Sequence, residues 1–170
     1  MYFSVTSATQ PDYSPCTYGN LSQVNCIGLN ASDVLEAFRR NKNHADVKQL
    51  YLFYIPDITD DILGEVLDIV ASTAADNVEI ISLYGLDRVK NVPSALRKFT
   101  SLKVLYIWEM DGIETLAKGS MTLSSNKLSS IRYNINPHLD VIEPGAFQGI
   151  LISFIPSQSI ITVFLYKLFR

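Results

Sequence analysis

Four successive stretches of this chain place apolar residues at the same five offsets, and that recurrence constrains the fold more than any single motif. The stretches open at Val47, Val78, Leu102 and Leu128, so the first interval is the longest and the next two are nearly equal. Three positions on come Leu50, Ile81, Leu105 and Ile131, and two further on Leu52, Leu83, Ile107 and Tyr133. The next two columns are Ile55, Leu86, Met110 and Asn136, then Ile58, Val89, Ile113 and Leu139. Nineteen of these twenty positions are apolar, Asn136 being the exception, where a composition of 48% apolar residues would give half. The last two stretches share one more apolar position, Leu116 and Ile142, at the same distance from each opening. Side chains alternate along a strand, so offsets 3 and 5 share one face. A single unit cannot bury that face, whereas stacked units make a continuous core behind a parallel sheet. The expected class is α/β, with one short strand per repeat and a return path behind it.

The return paths differ. After the first strand, Thr59-Asp60-Asp61 reads as a helix start, and Ile62, Leu63, Val66, Leu67 and Val70 follow at helical spacing. After the second, Pro93 suits a first helical turn ahead of Ala95, Leu96 and Phe99. The third, from Leu116 to Ser125, carries Gly119 and several serines and is expected to be irregular.

Four regions follow from this pattern. Residues 1–14 hold Pro11 among polar residues and are expected to be disordered. Residues 15–46 read as a cap, a hairpin turning at Tyr18-Gly19-Asn20 and then a helix opened by Asn30 to Asp33. The hairpin holds both cysteines, Cys16 and Cys26, as a bridge or as two unpaired buried thiols. A bridge over so short a loop stabilises by roughly 2–3 kcal/mol in the chain-entropy model. Residues 47–149 are the repeats. Residues 150–170 form an apolar tail that matches the repeat opening poorly. The uncharged run from Pro144 to Tyr166 is long enough to cross a bilayer, but Pro144, Pro156 and Gln158 argue against a span. An incomplete or misread gene end is the favoured reading of the tail, with a capping strand or helix behind it.

Composition narrows the function. The net charge of −3 disfavours a nucleic-acid partner, which would want a basic patch. His44 and His138 are the only histidines, without acids or thiols at metal-ligand spacing. Gly-rich phosphate loops, GxSxG elbows and HExxH helices are absent from the sequence. Asp57, Asp60 and Asp61 cluster where helix-capping acids belong. No catalytic residue, metal or cofactor is expected, and the chain reads as a non-enzyme. Asn20-Leu21-Ser22 and Asn30-Ala31-Ser32 are N-glycosylation patterns. With the cysteine pair they point outside the cell, although MYFSVTSATQ is no secretory signal. The expectation is a secreted protein whose leader precedes Met1.

The strand positions between core residues face away from the core. Those at offset 4 are Tyr51, Ser82, Tyr106 and Arg132, and those at offset 6 are Phe53, Tyr84, Trp108 and Asn134. Five of these eight are aromatic, against 11% in the chain. Tyr54 adjoins them. Rigid amphipathic rings bury much area at little entropy cost, as binding hot spots do. Sheet propensity alone also favours aromatics in strands. Tyr51, Phe53, Tyr54, Tyr84, Tyr106, Trp108 and Arg132 are the candidate protein-binding residues, centred on Trp108.

The units resemble the leucine-rich repeat, LxxLxLxxNxL at about 20–29 residues per unit. Ile142-Glu143-Pro144-Gly145-Ala146-Phe147-Gln148-Gly149 resembles the ending of extracellular members, and the Cys16–Cys26 region resembles their cysteine-bearing N-terminal cap. Within the group, the SPCT start, the polar hairpin and the helix that follows are most similar to the arthropod proteins named for the non-catalytic subunit of oplophorus-luciferin 2-monooxygenase. The resemblance spans roughly residues 14–149. It implies a solenoid with a concave parallel sheet and a role of associating with a partner without doing chemistry. It also implies a Cys16–Cys26 disulfide, since Gln10 and Tyr18 stand where the family's cap has its first and third cysteines. The family's asparagine ladder is reduced here to Asn136, which implies a less regular curve. A membrane-anchored receptor ectodomain is the alternative if the tail spans, and a truncated non-functional fragment if it is an artefact.

Overall fold

The computed structural model describes residues 11–134, 138–148, 153–157 and 160–164, with side chains not described for Asn134 or for the last two segments. Its elements are β1 (Thr17–Gly19), β2 (Gln23–Ile27), α1 (Ala31–Arg40), β3 (Gln49–Phe53), α2 (Asp60–Ala74), β4 (Ile80–Tyr84), a 3-10 helix (Ser94–Lys98), β5 (Val104–Trp108), β6 (Thr115–Leu116), β7 (Ser130–Asn134), β8 (Val141–Ile142), β9 (Ser153–Ser157) and β10 (Ile160–Phe164).

The protein is α/β with a mostly parallel sheet. Strands β2, β3, β4, β5 and β7 lie side by side and point the same way. The register follows the apolar columns. Leu50 pairs with Ile81, Ile81 with Leu105 and Leu105 with Ile131, while Leu52, Leu83, Ile107 and Tyr133 form the next core rung. All eight are buried to within 1% of full burial. A slip of one residue would turn all of them to solvent, so burial itself pins the pairing.

Unit length is absorbed behind the sheet. The first unit returns through α2, whose Leu63, Val66, Leu67, Val70, Ala71 and Ala74 are buried. The second returns through the 3-10 helix, which buries Ala95 and Leu96. The third is irregular apart from β6, which pairs in parallel with β8 and sets Leu116 beside Ile142. Thus the late apolar position shared by the last two stretches marks a second, two-stranded sheet.

The asparagine column is filled differently from the repeat pattern. Ile55, Leu86 and Met110 are buried, and the turns after them close on the backbone. The N–H groups of Ile58, Val89 and Ile113 donate to the carbonyls of Ile55, Leu86 and Met110 at 3.3, 3.1 and 3.0 Å. That leaves these polar groups satisfied without an asparagine amide. Asn136 lies outside the described residues.

The cap is closed by a Cys16–Cys26 disulfide, and β1 pairs antiparallel with β2. Its turn falls at 20–22 rather than at Tyr18-Gly19-Asn20, because Leu21 and Ser22 take the left-handed conformation (φ 68° and 59°). The disorder expected over 1–14 is corrected at its end. Tyr13 is 1% exposed and packs on Phe38, with its hydroxyl 2.6 Å from His44 Nδ1. Residues 1–10 lie outside the described part.

Asp60 and Asp61 stand in the first turn of α2, and two of the acids at this helix start also reach across units. Neither Asn30 nor Thr59 makes a side-chain cap bond. Asp57 accepts from the N–H of Ala31 at 2.8 Å, and so caps α1 from the following unit. Asp60 accepts from the N–H groups of Lys90 and Asn91. In the later units, Glu143 accepts from the N–H of Lys118.

The tail departs from a fifth parallel strand. β10 runs antiparallel to β7, and β9 antiparallel to β10 at the sheet edge. Pro156 lies in β9, where an edge position spares it the missing N–H. No helix among the described residues is long and apolar enough to cross a membrane.

Candidate aromatic surface

The face of the sheet turned away from the helices carries the odd positions of each strand. One rung sets Tyr51 beside Ser82, Ser82 beside Tyr106 and Tyr106 beside Arg132. The next sets Phe53 beside Tyr84 and Tyr84 beside Trp108. These residues line an open hollow of about 410 Å³. Ser82 makes the hollow. It is the one small side chain in its rung, 7% exposed, between two tyrosines.

The rings brace one another edge to face. Centroid separations are 5.7 Å for Tyr51–Phe53, 5.8 Å for Phe53–Tyr84, 6.3 Å for Tyr84–Trp108 and 5.9 Å for Tyr106–Trp108, with interplanar angles of 81° to 89°. Such pairs add about 0.5–1.5 kcal/mol each beyond area burial. At the far end the Arg132 guanidinium sits 5.4 Å from the Tyr106 ring centroid, a cation–π contact. The Tyr51 hydroxyl donates to Gln49 at 2.9 Å. Its pKa is raised by burial first and by the nearby Tyr106 second. The Trp108 indole N–H is buried and has no acceptor among the described residues.

The rim at the strand ends is built from backbone strain. The residue after each of four consecutive parallel strands is left-handed: Gly28 (φ 64°), Tyr54 (52°), Gly85 (64°) and Glu109 (48°). The geometry has a cause. The N–H groups of Gly28, Tyr54 and Gly85 each donate to the last carbonyl of the neighbouring strand, Phe53, Tyr84 and Trp108, as the chain turns inward. Glycine takes that conformation freely, whereas another residue costs about 1–2 kcal/mol. Tyr54 and Glu109 take it nonetheless, and both hydrogen-bond the Tyr84 hydroxyl, which raises its pKa. The Tyr54 ring lies 4.6 Å from that of Tyr84 and covers Gly85, where an added Cβ would come within 2.6 Å of it.

Six of the seven expected surface residues therefore converge on the hollow, and Tyr54 stands on its rim, half exposed. Ser82 and Glu109 were not among the expected site residues. The signal for Ser82 was its size, alone in a column of large side chains. Asn20 and Asn30 are both exposed. His138 is exposed in its turn. Among the described residues no group of three or more His, Cys, Asp or Glu could hold a metal. No protein-family model, curated protein or solved structure matches the chain.

Proposed function

We propose that this chain is an extracellular leucine-rich repeat solenoid that binds a protein partner through the aromatic face, without catalysis of its own. The observation that carries the reading is the braced ring of Tyr51, Phe53, Tyr84, Tyr106 and Trp108 around an open hollow. Core packing does not require those rings, because the opposite positions of the same strands already form the core. Strain at Tyr54 and Glu109 supports it, since strained backbone concentrates at functional surfaces. The disulfide fits an oxidising compartment. The relation to the luciferin-monooxygenase non-catalytic subunits belongs to the same proposal and implies no more than association.

Trp108 is the centre of the face. Trp108→Ala weakens partner binding by more than about 2 kcal/mol, some thirtyfold, and leaves the thermal midpoint within a few degrees. A pull-down with the wild-type chain and with this variant checks it. Equal capture by both would reject the aromatic face as the docking surface.

A further inference from the structure

We infer that the segment docking on this face is acidic beside a large apolar anchor: the anchor fills the hollow, and a carboxylate meets Arg132. The inference rests on the proposed binding face and names the chemistry of its occupant.

The charge distribution carries it. The five parallel strands hold one charged residue between them, Arg132. No acid pairs with it among the described residues. It is exposed and held over Tyr106 at the mouth of the hollow, so its guanidinium stands beside whatever enters. A planar fork of donors in that position suits a carboxylate better than a neutral group.

The edge where the strands begin has the same sign. Lys48, Glu79 and Lys103 immediately precede the starts of β3, β4 and β5. Glu79 pairs with Lys103 at 2.9 Å, and its pKa is lowered by that bond and further by the charges of Lys48 and Lys127. Three cations thus surround one acid, leaving a positive edge that continues the field of Arg132. The strand-end rim is opposite in character, with Glu109 facing Tyr84. A segment laid across the hollow is therefore oriented, its acids toward the strand starts. Basic segments are disfavoured because they meet Arg132 and the lysine edge.

Selection from a phage-displayed library of random dodecapeptides on the intact purified chain tests this, with Trp108→Ala as the counter-screen. Clones that lose at least tenfold on Trp108→Ala are expected to be rich in Asp and Glu next to Trp, Phe, Tyr or Leu. The same clones lose at least tenfold on Arg132→Glu, recover in part on Arg132→Lys, and weaken as salt rises. Thermal melting shows that each variant is folded. Trp108-dependent clones that are neutral or basic, or that ignore Arg132→Glu, overturn the inference and leave the aromatic face standing. A library that yields no Trp108-dependent clone overturns both.

Discussion

The unit backed by α2 and the unit backed by β6 present the same strand to the front and solve the back in opposite ways. β3 and β5 are equal in length and both join one continuous register. Behind β3 a 15-residue helix buries six side chains. Behind β5 a two-residue strand and a run of turns bury Leu116 and Met121. The intervals between Val47, Val78, Leu102 and Leu128 are unequal, and that variation falls almost entirely on the return path. The front is fixed by side-chain alternation and ladder bonds, which tolerate no slip. The back need only supply apolar volume, which a helix, a 3-10 turn or a short strand each can do. A surface for recognition is best built on the invariant side.

The comparison breaks most visibly at the back. Leu67 is fully buried in α2, a helix flanked by α1 and the 3-10 helix. Leu67→Ala is expected to cost about 3–5 kcal/mol, because a helix cannot close around the cavity. Leu116 is equally buried, but the turns beside it can collapse. Leu116→Ala should cost nearer to about 2 kcal/mol, and urea denaturation of the two variants measures the difference. Equal losses would mean that the thin back is as rigid as the helical one.

A smaller effect of opposite sign belongs to the later region. Tyr133 occupies a core position that Leu52, Leu83 and Ile107 fill in the preceding strands. Its hydroxyl is buried without a partner among the described residues, and burial pushes its pKa up to about 12. Tyr133→Phe removes the unpaired group and should stabilise by about 1 kcal/mol, read as a higher denaturation midpoint.

The smallest effect lies in the cap. His44 is 2% exposed, and burial lowers its pKa. Burial also raises that of Tyr13, whose hydroxyl hydrogen-bonds the imidazole at Nδ1. Above about pH 6.5 the ring is neutral folded or unfolded, and its contribution is complete. As pH falls below that value the unfolded chain takes up a proton that the folded chain refuses, so stability declines toward the lowered folded pKa. Denaturation midpoints at about pH 7.5 and about pH 5.5, on either side of the ordinary histidine value, should show the decline, and His44→Gln should flatten it.

Much of the sheet was legible because alternation and burial write the same pattern in strand after strand. Val47, Val78, Leu102 and Leu128 announce the units, and the residues between the core positions announce the opposite face. The rest depended on contacts between units. Asp57 and Asp60 look like local caps, yet their partners are 26 to 31 residues away. β6 and β8 are too short to show alternation. Tyr54 and Glu109 give no hint of left-handed backbone, since only their glycine counterparts Gly28 and Gly85 reveal that demand. Ser82 stands in the outward column between Tyr51 and Tyr106, but the hollow it leaves shows only once the three strands pair. In the tail, two short apolar runs that fold back antiparallel mimic no repeat.

Cross-strand proton contacts in the folded chain decide whether the strands stack in this register. NMR of the isotopically labelled protein should connect the backbone of Tyr51 to Ser82, Ser82 to Tyr106 and Tyr106 to Arg132, in parallel geometry. Contacts displaced by one residue would turn the aromatic column into the core, and an antiparallel pattern between any two of these strands would break the stacked-unit architecture; either contradicts the account.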